Sequence, residues 1–409
     1  MGRGTPLPVV VYYDKEFIMD RDIKFGFWNY VESGVYGADA VLDWKDMHCN
    51  LPMSFTFDSK RHKKEDMLAV LDKCQECGMK LILRDERTNY KTLERLGKNA
   101  FTEGVKEAYN DFGYHPAVFG FFVGDEPAIN EYEVYIDAIN IVMEIAPELI
   151  PLANLVPYWG GGSDFDMLVG AKEEVHDKIV ENLLTKTNLP VLGYDQYCQC
   201  LTEQANQECG INSYFFVLDK YNDMTKKHGI PFYVSLLACG HWDYRLPTED
   251  DIRWQIYTSI AHGARGIIWF HLYGYEAGTS YVGNPIIGPE RLKTPTYDAI
   301  KRQQYIFDCY YRQILDKIYM TNVYHVGHIY DPRKRFGADE YIFDINGKYS
   351  HPTILTYYKE YESEEKWVSI VNAHQRLSNK ITLKMQSGKE HVFWLAPGEM
   401  RLEKLSNLI

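Results

Sequence analysis

Eight short apolar or aromatic runs recur along the chain, with amphipathic stretches between them. This alternation predicts strands followed by helices, and therefore a parallel sheet with helices packed outside it. The starts of the runs lie roughly 25 to 45 residues apart, the repeat expected of one strand, one helix and two loops. Eight such units predict a closed (β/α)8 barrel, an α/β fold. The predicted strands cover residues 24–29, 51–57, 80–84, 118–123, 151–156, 191–197, 232–238 and 266–273.

Amphipathic stretches predict helices over 63–77, 130–145 and 248–262, and a long closing helix over 294–317. Beyond about residue 319 the pattern changes to short alternating segments separated by polar turns, which is typical of a small antiparallel sandwich. A chain of 409 residues also exceeds what one core usually fills. The sequence therefore predicts a barrel domain over 1–320 and a C-terminal β-sandwich over 321–409.

Net charge and aromatic content narrow the classes of ligand. The formal net charge of −13 argues against a nucleic-acid partner, because phosphate binding needs a concentrated basic surface. Aromatic residues, whose faces stack on sugar rings, make up 14% of the chain. No apolar run reaches the length of about 20 residues that spans a membrane, and the run at 7–13 is too short for a convincing signal peptide. A neutral carbohydrate partner fits this composition, whereas no oligomeric state is indicated.

The fourth predicted strand carries the most informative motif. Residues 119–127 read Phe-Gly-Phe-Phe-Val-Gly-Asp-Glu-Pro, a buried strand that ends in two adjacent carboxylates. In a barrel, reactive side chains lie where strands end and the following loops begin. Asp125 and Glu126 are therefore predicted to lie at the mouth of the barrel. The alternative is that they cap the following helix, since acidic residues are favoured at helix N-termini.

Residue types that bind sugars follow most of the other predicted strands. Glycoside cleavage needs an acid that protonates the leaving oxygen and a second group that stabilises the oxocarbenium-like centre. The predicted substrate-binding residues are Trp28, Asn29, Arg84, Trp159, Tyr194, Tyr197, His241, Trp242, Trp269, His271 and Tyr273, and Asp195 is a further candidate carboxylate. Regular alternation along the eighth strand would put Trp269, His271 and Tyr273 on one face, and one of them is expected to line the pocket.

Other chemistries found in barrels lack their signatures here. A metal-dependent amidohydrolase would place a His-x-His pair near the end of the first strand, where this chain has Phe27-Trp28-Asn29. A phosphate-binding barrel needs a glycine-rich loop late in the chain. The glycine triplet at 160–162 lacks the lysine of a P-loop. We therefore expect no metal and no other cofactor.

These motifs resemble (β/α)8 glycoside hydrolases over roughly the first 320 residues. The resemblance rests on Gly124-Asp125-Glu126-Pro127 at the fourth strand and on the segments 253–257 and 261–270 that run into the eighth. In the large retaining clan that includes β-galactosidases, the fourth strand ends Asn-Glu-Pro and its Glu is the general acid/base, which corresponds to Glu126. That clan also has a nucleophilic Glu at the end of the seventh strand, where residues 233–242 contain none.

A second group, the β-N-acetylhexosaminidases with an adjacent Asp-Glu pair at the fourth strand, needs no Glu on the seventh. Resemblance to this group implies that the substrate's acetamido oxygen is the nucleophile, that Asp125 orients it and that Glu126 is the acid/base. Either Tyr194 or Tyr197 would donate a hydrogen bond to the acetamido group.

A third arrangement pairs Glu126 with Asp195, which would be a nucleophile or a water-activating base according to the distance between the carboxyls. The rival from another class is a carbohydrate-binding protein on a hydrolase scaffold, because a fold does not guarantee activity. The resemblance also implies a periplasmic or secreted role in polysaccharide degradation.

Overall fold

The computed structural model describes residues 21–158, 173–202, 210–274 and 285–409. Seven parallel strands form one curled sheet: β1 Lys24–Phe27, β2 Leu81–Leu83, β3 Val118–Asp125, β4 Ile150–Leu155, β5 Leu192–Asp195, β6 Phe232–Leu237 and β7 Gly266–Phe270. Their order in the sheet is β1-β7-β6-β5-β4-β3-β2, so consecutive strands from β2 to β7 pair with each other and β1 pairs with β7. The predicted (β/α)8 fold class is confirmed.

The remaining predicted strand, residues 51–57, fills the gap between β1 and β2 through interrupted pairing. The Leu51 N–H donates to the Phe25 carbonyl at 3.0 Å. Further along, Met53 forms a parallel bridge to Ile82, and Phe57 forms one to Asp85. The segment therefore occupies the position of the second barrel strand without forming a continuous ladder.

Helices cover the outside of the sheet. They are α1 Val41–Asp46, α2 Lys64–Glu76, α3 Tyr90–Leu96, α4 Lys98–Ala108, α5 Tyr132–Ile145, α6 Glu173–Thr187, α7 Ile211–His228, α8 Glu249–Ala261, α9 Pro295–Tyr310 and α10 Arg312–Leu315. At the start of α8, Thr248 Oγ1 accepts from the Asp251 N–H at 3.3 Å, and the Thr248 N–H donates to Asp251 Oδ2 at 2.8 Å. This capping box satisfies two donors at the end of the helix. The predicted closing helix is interrupted at Tyr311, between α9 and α10.

The barrel has two apolar layers because side chains alternate along each strand. On β3, Phe121 and Val123 pack outward against the helices, whereas Phe122 points into the interior cluster. On β7, Ile268 and Phe270 likewise belong to the interior cluster. That cluster fills the barrel and forms the floor on which polar residues at the carboxyl ends of the strands stand.

Two antiparallel sheets follow the barrel. Their strands are β8 Ile318–Val326, β9 Ile342–Gly347, β10 Thr353–Glu360, β11 Lys366–Asn372, β12 Asn379–Met385, β13 Glu390–Leu395 and β14 Met400–Lys404, and a final helix is α11 Leu405–Leu408. One sheet has the order β14-β11-β10-β8 and the other β13-β12-β9. The first of these strands starts at Ile318. We propose that the boundary between the barrel and the C-terminal domain lies near residue 320. Among the described residues, no helix combines the length and the apolar character needed to cross a bilayer.

Candidate active site

The end of β3 is shaped by two local irregularities. Between Phe122 and Gly124, β3 has one residue more than its partner β4, which is a β-bulge of the kind that redirects side chains at strand ends. Gly124 is required by space, since a Cβ there would lie 2.2 Å from Cδ1 of Tyr90. Glu126 has a φ of 43°, a left-handed conformation that costs a non-glycine residue roughly 1 kcal/mol. The chain therefore turns sharply as it presents Asp125 and Glu126.

Three carboxyl groups meet at this end of the barrel, and we call Asp125, Glu126 and Asp195 the carboxyl cluster. Asn154 on β4 lies between two of them, and its Nδ2 donates to Asp125 Oδ1 at 2.9 Å and to Asp195 Oδ1 at 2.7 Å. The Tyr197 hydroxyl donates to Asp195 Oδ2 at 3.1 Å. Glu126 is close enough to both aspartates that their charges help raise its pKa. The fourth, fifth and sixth strands of the barrel thus contribute to one polar group.

The ionisation of the three carboxyls is not equivalent. Burial raises the pKa of Asp125, and the Asn154 amide and the charge of Arg84 oppose this rise. Burial and the charge of Asp125 raise the pKa of Asp195, against three hydrogen bonds that favour its ionised form. The causes acting on Glu126 have one direction: burial and the charges of Asp195 and Asp125 all raise its pKa. Glu126 is therefore the carboxyl that keeps its proton.

Aromatic side chains form one wall beside the cluster. The Trp28 Nε1–H donates to Ser235 Oγ at 2.8 Å, and Ser235 in turn hydrogen-bonds Asp195. The Trp28 ring is nearly parallel to that of Tyr30, with ring centroids 6.2 Å apart. Arg84 covers the Tyr30 ring at 4.7 Å. The Trp28 ring is fully buried, so Tyr30 and Arg84, which are half-buried, are the members of this group that a ligand could reach.

A second aromatic group, which touches the first through Tyr30, consists of His241, His271, Tyr197 and Phe270. The His241 ring lies 5.6 Å from Tyr197 and 4.9 Å from Phe270, and His271 lies 5.0 Å from Phe270. Burial lowers the pKa of each histidine to about 4, so both rings are neutral at pH 7. Next to them, Trp242 is 67% exposed at the rim. These residues can contact hydroxyl groups without adding charge.

Tyr194 does not reach this site, which corrects the predicted role for it in binding an acetamido group. Neighbouring residues on a strand point to opposite faces, and Asp195 takes the inner one. Tyr194 instead stacks on Tyr221 of α7, with ring centroids 3.8 Å apart. It is buried between the sheet and the helices. Of Tyr194 and Tyr197, the two tyrosines predicted to donate a hydrogen bond to an acetamido group, Tyr197 is the one beside the carboxyl cluster.

Two of the three candidates at the eighth strand also face outward. The Trp269 Nε1–H donates to Gln304 Oε1 on α9 at 2.9 Å, and the Tyr273 hydroxyl accepts from Trp44 Nε1 at 2.8 Å. Only His271 of the three contacts the interior aromatic residues. The prediction that these three side chains share one face assumed that the strand continues to residue 273. It was wrong, because β7 ends at Phe270 and side chains no longer alternate regularly beyond it.

Asn29 is fully buried and serves the site indirectly. Its Oδ1 accepts from the Val31 N–H at 3.1 Å, and its carbonyl oxygen accepts from Arg84 Nη1 at 2.9 Å. It therefore holds Arg84 rather than facing a ligand. The remaining candidate, Trp159, lies outside the described residues.

Asn154, Ser235 and Tyr30 were missed by the sequence analysis. Asn154 and Ser235 are single polar residues inside the apolar runs 151–156 and 232–238, which is the signal that could have revealed them. A buried polar side chain needs a hydrogen-bond partner, so each indicates a partner in the barrel. Tyr30 has no comparable signal, because it follows the first predicted strand in a region rich in aromatics.

A second polar cluster lies away from the mouth, among α7, the end of α8 and β8. Asp219, His262 and His325 are fully buried there, and we call them the buried triad. His325 Nε2 lies 3.3 Å from Asp219 Oδ2 and 3.3 Å from His262 Nε2. His262 Nε2 lies 3.9 Å from Asp219 Oδ1. Within the described residues, these three side chains are the group with enough ligand atoms close together for a metal ion.

The hydrogen bonds around the buried triad do not fit metal ligation. His325 Nδ1 accepts from the backbone N–H groups of Tyr330 and Asp331, both at 3.2 Å. The neutral ring must then carry its proton on Nε2, the atom that a metal would occupy. His262 Nδ1 faces the Thr258 carbonyl at 2.7 Å, which leaves its own Nε2 as an acceptor. His325 Nε2–H therefore donates to His262 Nε2, and the Asp219 carboxyl lies beside this pair without a hydrogen-bond partner among the described residues.

The sequence matches no protein-family model and no curated protein. Its fold is similar to that of solved β-galactosidases. The enzyme from Rahnella sp. R3 has a TM-score of 0.54 and 12% identity over 74% of this chain and 58% of its own, and that from Marinomonas ef1 has 0.52 and 11% over 70% and 60%. The enzyme from Halorubrum lacusprofundi has 0.51 and 10% over 70% and 58%.

This chain thus spans about three fifths of the length of those β-galactosidases. At such low identity the likeness shows the fold alone, a (β/α)8 barrel.

Proposed function

We propose that this protein is a glycoside hydrolase in which Glu126 is the general acid. The observation that carries the proposal is the carboxyl cluster at the barrel mouth, in which the Asn154 amide joins Asp125 to Asp195 beside Glu126. A general acid must be protonated at the working pH, and enzymes achieve this by burial and by neighbouring like charges. Both act on Glu126, which would donate its proton to the oxygen of the leaving group.

Asp195 is the better supported partner. In retaining glycosidases the two carboxyls are about 5.5 Å apart, and in inverting ones about 6.5 to 9.5 Å, so that a water molecule fits between acid and base. We infer that Asp195 attacks the anomeric carbon while Glu126 protonates the departing oxygen, because Asn154 and Tyr197 donate to Asp195 and favour the ionised form that a nucleophile needs.

The second mechanism uses Asp125 and the substrate's own acetamido group. Asn154 holds Asp125 at 2.9 Å beside Glu126, which suits a carboxylate that orients and stabilises a neighbouring dipole. In that mechanism the acetamido oxygen forms the bond to the anomeric carbon and Glu126 still protonates the leaving oxygen. It would restrict turnover to N-acetylated sugars, whereas the Asp195 mechanism has no such requirement.

Aryl glycosides test the proposal and separate the two mechanisms. We expect hydrolysis of one or more members of a panel of plain hexosides, uronides and N-acetylhexosaminides, with loss in Glu126→Gln. For the Asp195 mechanism, azide should restore turnover of an activated substrate by Asp195→Ala and yield a glycosyl azide of inverted configuration. Activity confined to N-acetylated sugars and lost in Asp125→Asn would favour the acetamido mechanism.

A carbohydrate-binding protein without turnover is the second candidate function. The feature that favours it is the segment after β6, where residues 238–242 read Ala-Cys-Gly-His-Trp and contain no carboxylate. A binder would retain the aromatic walls and show no hydrolysis in the wild type or in any carboxyl variant. Sugar binding by calorimetry together with silence across the whole panel would establish this alternative.

A further inference from the structure

Arg84 is a rigidly held cation at the mouth of the barrel. It follows β2 directly, and its backbone N–H donates to Ser54 Oγ at 2.9 Å. Its Nη1 donates to the Asn29 carbonyl at 2.9 Å, and its guanidinium covers the rings of Tyr30 at 4.7 Å and Phe122 at 5.7 Å. Stacked and hydrogen-bonded in this way, the side chain is fixed before any ligand arrives.

The charge of Arg84 has no counter-ion within salt-bridge distance among the described residues, in contrast to those of Arg87 and Arg245. Arg87 pairs with Asp85 at 2.8 Å, and Arg245 pairs with Asp251 at 2.6 Å. The charge of Arg84 acts to lower the pKa of Asp125, although the Asp125 carboxyl lies farther away than the 4.0 Å of a salt bridge. An arginine held in place and left without a carboxylate is unusual beside three acidic groups.

Two of its donors are open. The Arg84 Nε is buried and has no acceptor among the described residues. Nη2 has no partner in the described part of the chain and is not among the buried atoms, so solvent reaches it. These two nitrogens lie along one edge of the guanidinium, the edge that pairs with both oxygens of a carboxylate. A bound carboxylate would supply the acceptor that Nε lacks.

We propose that Arg84 binds the carboxylate of a hexuronate residue, so that the substrate is an acidic sugar. This inference rests on the proposed glycosidase function and adds the substrate class. A neutral hydroxyl would satisfy one donor and leave the charge uncompensated, whereas a carboxylate satisfies both and neutralises the cation. Tyr30, which the buried Trp28 ring supports, would meanwhile contact the sugar ring beside the carboxyl cluster.

Matched pairs of aryl glycosides test the role of Arg84, because a hexuronide and its parent hexoside differ only in the carboxylate. We expect the wild type to prefer the uronide, and Arg84→Gln to reduce the ratio of the two kcat/KM values by about 100-fold, as when a buried binding group loses its partner. The loss should fall mainly on KM. Arg84→Lys should retain part of the preference, and the exposed Arg95→Gln is the matched control.

Other outcomes overturn the inference without touching the proposed function. A wild type that prefers neutral or sulfated sugars, or an Arg84→Gln variant that loses both members of a pair equally, would mean that Arg84 only steadies Asp125. If no glycoside is hydrolysed, the glycosidase proposal fails, and calorimetry with free hexuronate still tests the site. Loss of hexuronate binding in Arg84→Gln, with an unchanged melting curve, supports the role of Arg84. Equal binding by the wild type and the variant, or no binding by the wild type, overturns that role.

Discussion

The carboxyl cluster at the barrel mouth and the buried triad at the junction with the C-terminal sheets both bury ionisable side chains inside the protein. In both, burial raises the pKa of an aspartate. The side chains of Asp219, His262 and His325 are closed off from solvent, whereas Asp125 and Glu126 are partly exposed. A shifted pKa is thus common to both places, and access for a ligand distinguishes them.

The hydrogen-bond donors also differ between the two clusters. At the mouth, Asn154 and Tyr197 donate to aspartates and stabilise their charged forms, while Glu126 is left to hold a proton. In the triad, the neighbours of Asp219 are histidines, and burial lowers the pKa of His325 to about 4. The mouth therefore maintains two protonation states side by side, and the triad favours a neutral state. We expect changes at the mouth to affect turnover and changes in the triad to affect stability.

The largest expected effect is at Glu126. Glu126→Gln removes the proton donor but keeps the shape, so kcat/KM for aryl glycosides with poor leaving groups should fall by about 1,000-fold. The free energy of unfolding should not fall, because the variant also removes a buried acid beside Asp195. Glu133→Gln, on the exposed face of α5, is the control. Retained turnover in Glu126→Gln would remove the proposed distinction between the clusters.

In the triad, His325→Ala should behave in the opposite way. It removes the donor to His262 and leaves a buried ring nitrogen without a partner, which should lower the free energy of unfolding by about 2 kcal/mol. Turnover per folded molecule should be unchanged, since the triad does not touch the mouth. Chemical denaturation measures the first quantity and titrated active sites the second, with the exposed His328→Ala as control.

The melting temperature measured with and without a chelator distinguishes a hydrogen-bonded triad from a metal site. A hydrogen-bonded triad predicts that a chelator leaves the melting temperature of the wild type unchanged. A drop in melting temperature with chelator, restored by zinc and absent in His325→Ala, would show that the proton assignment on His325 is wrong.

Asn154→Ala should cause an intermediate effect at the mouth. The amide is shared by Asp125 and Asp195, and without it both lose a donor that favours ionisation. We expect kcat/KM to fall by about 100-fold, the size seen when one polar group that stabilises catalytic charge is removed. The acidic limb of the pH profile should move to higher pH. Asn140→Ala, at the surface of α5, should do neither.

The dependence on pH follows from the directions of the shifts at the mouth. Activity should fall as pH rises through the raised pKa of Glu126, because the acid loses its proton, and as pH falls through that of Asp195, because the partner gains one. Both limbs should therefore lie above the ordinary range of exposed carboxyls near pH 4. The profile of kcat/KM against pH measures both limbs.

Stability should respond to the same groups with a definite sign. A carboxyl whose pKa is raised in the folded state binds more protons there than in the unfolded chain, so it contributes most below the unfolded pKa of about 4 and less as pH rises through the folded one. The unfolding free energy should decline over that window in the wild type and decline less in Glu126→Gln. An identical decline in both would mean that Glu126 titrates normally.

The two clusters also mark how far the sequence could be interpreted. Eight apolar runs were enough to predict the barrel, because strand and helix alternation is local. The inner position of Asp195 and the outer one of Tyr194 depend on strand register, which composition does not carry. Asn154 bridges two carboxyls only because β3, β4 and β5 are adjacent. The triad brings together three segments distant in the chain, so no local pattern could indicate it.

The smallest expected effect compares two exposed tryptophans, one at the mouth and one on the C-terminal sheets. Trp242 and Trp394 are both 67% exposed, so neither should change the unfolding free energy by more than about 0.5 kcal/mol when replaced by alanine. Trp242 lies 5.5 Å from His241 at the rim, where a sugar ring beyond the first would stack. Trp242→Ala should raise KM for an oligosaccharide several-fold and leave a small aryl glycoside nearly unaffected, while Trp394→Ala changes neither. Equal effects of the two variants on the oligosaccharide would mean that the rim adds nothing to binding, and that the site ends at the aromatic walls around the carboxyl cluster.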